Sequence, residues 1–396
     1  MNIKKFYFYK FFEELMPIYP LYLLLFENKH LTVSQISLLL IIWSLPVIIL
    51  EIPSGIVADR WSRKNLLVLG SMFKVLCFLT WLFSNSFLPF AIGFVFWGIS
   101  SAFCSGTEEA LIFDSLKANN NEQNFENVLS RGRFLSGLSY TLSSIAAGFI
   151  ATYWGMSLTL LFSIFAGFIC TCLSFAFKEV NFYKDTKLHI NSRGHETLVQ
   201  AIRFFFQNKQ LLLFALLSTL VIGTAGILDE YDQLIAKEYG LSMVSIGIWS
   251  SCRSLLVSLG SILAPFVKKV IVKILHVRTP IYVVSIICLI ASIFLGLSGL
   301  INHILIMLFY GLYFLLMSSG GIIQEDYFQQ QIEDEGRSTV HSIVSLVYNL
   351  YGMFFYALLI LIFTQTDLFG SLILISVYMF IMTLLICFYY SKFNEA

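Results

Sequence analysis

Gly55-Ile56-Val57-Ala58-Asp59-Arg60-Trp61-Ser62-Arg63-Lys64 sets a cluster of charges between two long apolar runs. The runs on either side, residues 34–57 and 66–84, are each long enough to cross a bilayer, which takes about 17–25 mostly apolar residues at a helical rise of about 1.5 Å per residue. The stretch therefore reads as a helix end followed by a tight charged loop at one membrane face. The same ruler, carried outward, marks further spans at 6–26, 88–113, 134–154, 156–177, 210–230, 243–267, 279–300, 302–324, 340–363 and 368–391. Because the runs are continuous rather than alternating, barrel strands are excluded.

Composition agrees with a lipid-facing surface. The 396 residues are 58% hydrophobic and only 12% charged, too few charges to cover a water-soluble protein of this size. The mean hydropathy is +0.80. Basic and acidic residues nearly balance, at 25 against 24, and a nucleic-acid partner, which calls for a strong basic excess, is not expected. The first span is not read as a removable leader, since Glu13 and Glu14 interrupt it and no small-x-small cleavage site follows.

With the N-terminus inside, nearly all Lys and Arg fall on the inner side, and the outer side keeps only Lys29 and Lys237. The positive-inside rule then places both termini in the cytoplasm of a multi-pass protein of the cell (inner or plasma) membrane. The polar stretch 178–209 divides the chain into two halves, 1–177 and 210–396. The halves echo each other: Leu31-Thr32-Val33-Ser34-Gln35 leads into span two, and Leu241-Ser242-Met243-Val244-Ser245 leads into span eight. The expected fold is all-α integral membrane, with twelve transmembrane helices in two six-helix pseudo-symmetric bundles related by an axis along the membrane normal. Small-residue stripes, Ser143, Ala147, Ala151 and Gly155 on span five and Ser250, Ser254 and Ser258 on span eight, predict that these two spans cross.

Metal or redox chemistry finds no footing. The seven cysteines lie in apolar runs without C-x-x-C, and no histidine forms H-E-x-x-H. No G-x-x-x-x-G-K-[ST] loop occurs to bind a nucleotide. Neither a cofactor, a metal nor an enzyme activity is expected.

The stretch from Gly55 to Lys64 resembles the loop signature of the major facilitator superfamily, G-x-L-A-D-R-x-G-R-K, at its usual place between spans two and three. Ser62 stands where the signature has its second glycine. The corresponding stretch in the second half, Ala264-Pro265-Phe266-Val267-Lys268-Lys269, has lost the acid. The resemblance implies a secondary transporter that works by alternating access. It also implies a conformational latch made of Gly55, Asp59, Arg60, Arg63 and Lys64 that holds the outward-open state, with Asp114 at the end of span four as the preferred partner. It further implies a central cavity lined mainly by spans one, four, seven and ten.

Ionisable residues inside a bilayer cost at least about 2.5–3.5 kcal/mol each and are functional candidates by default. Glu13 and Glu14 in span one, Glu108 and Glu109 in span four, and Arg253 in span eight are the candidates for solute binding and proton coupling; Lys74 in span three is read as a structural pair or a snorkelling side chain. Two adjacent carboxylates in low dielectric cannot both ionise cheaply, so one of each pair is expected to take up and release protons. Only one of each pair can face the cavity, and the other is expected to meet Lys74 or Arg253. Pro17-Ile18-Tyr19-Pro20 should break span one, and Gly223 and Gly226 should let span seven bend near Asp229, Glu230 and Asp232. The expected function is export of a small organic solute in exchange for protons, by a monomer in the lipid bilayer. The alternatives are proton-coupled uptake of a nutrient, metabolite or siderophore, and a nontransporting sensor or scaffold. The Gly-Pro run of drug exporters is missing from span five.

Overall fold

The computed structural model describes residues 2–179, 209–300, 303–331 and 337–394. They are helical, with no strand among the described residues. The linker 178–209 lies outside them except for its ends. Among the described residues, eleven helical segments are long and apolar enough to cross a membrane; the N-terminal segment supplies the twelfth crossing in two pieces. The helices form two compact units.

The first unit contains α1 (Asn2–Glu14), α2 (Tyr22–Asn28), α3 (Val33–Arg60), α4 (Arg63–Leu82), α5 (Phe87–Cys104), α6 (Thr107–Lys117), α7 (Phe125–Trp154) and α8 (Met156–Ala176). It also takes in Ser242–Ser251. The second unit holds α9 (Lys209–Leu217), α10 (Gly223–Glu238), the remainder of α11 (Met243–Leu275), α12 (Pro280–Leu300), α13 (Met307–Gln331), α14 (Arg337–Gln365) and α15 (Leu368–Asn394).

Three of the expected spans are not single helices. Span one stops at Glu14 and resumes at Tyr22, because Pro17 and Pro20 have no N–H to continue the ladder. The Ile18 N–H, which loses its helical acceptor there, donates to the Ser163 hydroxyl of α8 at 3.1 Å. Span four breaks between α5 and α6 at Gly106, whose φ of 68° is left-handed and costs glycine little. Span seven carries a π turn, Ser218–Ile222, between α9 and α10. The bend thus begins just before Gly223 rather than at the glycines themselves. The Leu220 carbonyl of this turn accepts from Thr224 Oγ1 and from Tyr351 Oη of α14, each at 3.1 Å. A side chain thereby supplies a hydrogen bond where the regular ladder is disturbed.

The sequence echo is a repeated helix cap. Thr32 Oγ1 accepts from the Gln35 N–H while Gln35 Oε1 accepts from the Thr32 N–H, a complete capping box for α3. Ser242 Oγ accepts from the Ser245 N–H at 3.3 Å and caps α11 at the equivalent place.

The start of α11 lies on α7. Ser251 Oγ donates to the Thr141 carbonyl at 3.0 Å, and a Cβ added to Gly148 would come within 2.6 Å of the Met243 carbonyl. The close approach runs through Thr141, Ser144 and Gly148 on α7 and Gly247 and Ser251 on α11, beside the stripes read from the sequence. The N-terminal aromatic run divides by helical face. Phe6 and Tyr9, one turn apart, join a buried cluster with Leu67, Leu111 and Phe177, while Phe8 points outward at 60% exposure.

Candidate functional site

In the first unit the broken spans bring acids and bases together. The break at Gly106 puts Glu108 and Glu109 in the first turn of α6, where the positive end of the helix dipole favours carboxylates. Glu108 Oε1 lies 2.6 Å from Lys10 Nζ of α1, and the same ammonium lies 2.7 Å from Glu13 Oε2. One lysine therefore serves two carboxylates from two helices, with its side chain 14% exposed. The other oxygen of Glu108 is buried without a hydrogen-bond partner among the described residues. Glu109 turns the opposite way, toward an exposed contact with Arg133 at 3.6 Å. Each acidic pair is thus split, since neighbouring residues on a helix point about 100° apart.

Glu14 is half-buried and makes no ion pair or hydrogen bond among the described residues. It lies within electrostatic reach of Lys74. The Lys74 ammonium sits 3.5 Å from the centre of the Trp97 ring, 5.1 Å from Tyr19 and 5.7 Å from Phe78. It makes no ion pair among the described residues, so it is caged by rings rather than held in a structural pair. Tyr19 stacks on Trp97 with ring centres 5.5 Å apart.

The charged loop forms a second constellation. Arg63 Nη1 pairs with Asp114 Oδ2 and donates to the Ala110 carbonyl at 3.1 Å. Asp114 is 2% exposed. Ser62, the departure from the signature, caps α4 by accepting from the Asn65 N–H. Its hydroxyl also donates to Glu179 Oε2 at 2.6 Å. The Arg63 and Lys64 N–H groups donate to the Glu179 carboxylate at 3.1 and 2.9 Å. An acid just past α8 thereby closes the N-terminus of α4. Gly55 is exposed in α3, and a Cβ there would meet nothing within 4 Å. The side chains of Asp59 and Arg60 lie outside the described residues.

In the second unit Arg253 is gripped by two acids of α10, one turn apart. Its guanidinium pairs with Asp229 and, through Nε, with Asp232 Oδ2 at 3.0 Å. Its charged end lies over Phe314 at 5.1 Å. Two acids near the bend of span seven therefore neutralise Arg253, in place of the glutamate pairs, which belong to the first unit. Lys268, in the stretch that has lost the signature's acid, lies 3.7 Å from Asp326 near the end of α13. This matches the placement of Arg63 and Asp114: a base beyond the second or eighth span meets an acid closing the fourth or tenth.

Sequence reasoning missed Lys10, Glu179 and Trp97. Lys10 carries a signal in the sequence, three residues before Glu13 on one helix face. Glu179 and Trp97 become informative only through contacts far apart in sequence.

Residues 7–356 match the profile of the Major Facilitator Superfamily. The chain belongs to this family. A relative in Bacillus subtilis (strain 168), described as the uncharacterized MFS-type transporter YxaM, is 23% identical over 238 residues, or 58% of this chain. The match spans 56% of that relative's length. Among solved structures, a point mutant of the nucleoside transporter NupG aligns with a TM-score of 0.77 at 12% identity, covering 98% of this chain and 99% of that one. The POT family transporter PepTSo aligns at 0.75 and 11% identity, covering 100% and 98%. A bacterial homolog of the human lysosomal transporter Spinster aligns at 0.73 and 14% identity, covering 100% and 96%. Such distant likenesses establish the multi-pass helical fold of this superfamily member.

Proposed function

We propose that this superfamily member is a secondary transporter that moves a small organic solute by alternating access, with protons as the coupling ion. One observation carries the reading: Glu13 and Glu108 share Lys10 at two broken helices, and Glu14 beside them, within electrostatic reach of Lys74, has no ion-pair partner among the described residues. Three carboxyl groups against two lysines, Lys10 and Lys74, leave surplus negative charge in a poorly solvated place. A proton is the smallest cation that balances it, and its arrival would release Lys10 from one partner. That release is a local electrostatic change of the kind that biases a two-state element.

Export in exchange for protons and uptake together with protons use the same cluster. Export is the first reading and uptake the alternative. Uptake is favoured by Lys74, because a proton on Glu14 removes a competitor for that ammonium, so an anionic solute and a proton would bind together. A monomer in the cell membrane with both termini cytoplasmic completes the reading. The latch assignment belongs to it as well: Arg63 and Asp114, with Gly55, Asp59, Arg60 and Lys64, would hold one conformation and part in the other.

The test is solute flux in proteoliposomes under an imposed pH gradient, across solute classes, in the parent protein and in Glu13→Gln, Glu14→Gln, Glu108→Gln and Glu109→Gln. Flux should follow the gradient and lose that dependence in at least one of the first three variants. Movement indifferent to the gradient and to every change would overturn proton coupling. A sensor or scaffold would show no solute movement at all.

A further inference from the structure

Among the described residues of the first unit, Lys74 is the intramembrane base without an ion-pair partner. Lys10 has Glu13 and Glu108, and Arg63 has Asp114. Lys74 has three aromatic rings instead. A ring face attracts an ammonium by about 0.5–2 kcal/mol, but it leaves the full positive charge in place. The rings hold the ammonium in position without consuming its capacity for an anion. Trp97, Tyr19 and Lys74 are each half-buried, so the group is not sealed in the core. Trp97 and Tyr19 are stacked and nearly parallel, with an interplanar angle of 19°, and Phe94 lies parallel to Trp97 with ring centres 5.9 Å apart, so the charge sits at the edge of an aromatic cluster.

We infer that Lys74, with the rings of Trp97 and Tyr19, forms the recognition site for a small organic anion that carries a flat aromatic body. The anionic group pairs with the ammonium and the ring packs against this aromatic cluster. Glu14 is the internal competitor for Lys74, which sets how strongly the site attracts its ligand. The inference rests on the transporter reading for its purpose, but its chemistry is that of a binding site and is measurable without transport.

The experiment is equilibrium binding of 1-naphthoate, 1-naphthylmethylamine, 1-naphthamide and acetate to the purified full-length protein, followed by calorimetry. Naphthoate should bind at least tenfold more tightly than the other three. Lys74→Gln should weaken naphthoate at least tenfold, and Lys74→Arg should retain it, which separates loss of charge from loss of fold. Trp97→Leu should weaken naphthoate toward the acetate level, and Glu14→Gln should tighten it. Equal or tighter binding of the amine, unchanged naphthoate binding in Lys74→Gln, or absence of naphthoate binding would overturn the inference. If naphthoate binds through Lys74 but no solute moves in proteoliposomes, the transporter reading fails and this site stands. If proton-driven flux is found while Lys74→Gln leaves naphthoate binding unaltered, the reverse holds.

Discussion

Lys10 and Glu108 join α1 to α6 through a 2.6 Å ion pair across two broken spans. The pair is shared, because Glu13 lies on the same ammonium at 2.7 Å. Removing Lys10 strands two carboxylates; removing Glu108 leaves Lys10 with Glu13. Breaking a buried pair from one side costs up to about 3–5 kcal/mol. Lys10→Met should therefore lower the thermal midpoint more than Glu108→Gln. The double variant Lys10→Met with Glu108→Gln should recover part of the loss, as a thermal-melting series in detergent would show.

Arg63 and Asp114 tie the start of α4 to the end of α6. Asp114→Asn and Asp59→Asn should both leave insertion and yield unaltered while slowing solute flux several-fold. Asp114→Asn should also destabilise, because Arg63 is nearly buried. Flux at the parent rate in both variants would remove the latch role and leave the charges as topology signals only.

Ser62 and Glu179 act on one helix end, so their effects should not add. Ser62→Ala should cost about 0.5–2 kcal/mol for the lost cap. Glu179→Gln should cost a similar amount through weaker contacts with two backbone N–H groups and the Ser62 hydroxyl. In a double-mutant cycle the combined loss should fall short of the sum. Strict additivity would mean that the Glu179 carboxylate does not hold the end of α4.

Burial separates the two acids on Arg253. Asp232 is 4% exposed in its side chain and Asp229 is 45% exposed. Asp232→Asn should destabilise by several-fold more free energy than Asp229→Asn, because water can replace the latter contact and not the former. Equal effects in thermal melts would contradict the geometry.

The apolar runs, the charged loop and the prolines of span one made the membrane class and the N-terminal break legible in the sequence. The break at Gly106 was not legible, since Ser105-Gly106-Thr107, read within one expected span, gives no sign that the glycine's φ is positive. The π turn was hidden for a similar reason: Ser218–Ile222 reads as ordinary helix, and its extra hydrogen bond comes from Tyr351, far along the chain. At the site, composition marked Glu13, Glu14, Glu108 and Glu109 as costly but not which of them face one another. That choice follows from helix rotation at the two breaks, which sends Glu108 to Lys10 and Glu109 to Arg133. The partners of Arg253 lay in plain view at Asp229 and Asp232, one turn apart; their proximity to Arg253 depends on how α10 packs on α11.

Counterflow and gradient-driven accumulation, measured side by side in proteoliposomes with the solute found by the flux screen, separate translocation from its drive. Glu13→Gln, Glu14→Gln and Glu108→Gln combined in one protein should still exchange solute across a membrane without a pH gradient, while failing to concentrate it when a gradient is applied. Undiminished gradient-driven accumulation in that triple variant would contradict proton coupling through these three carboxyl groups.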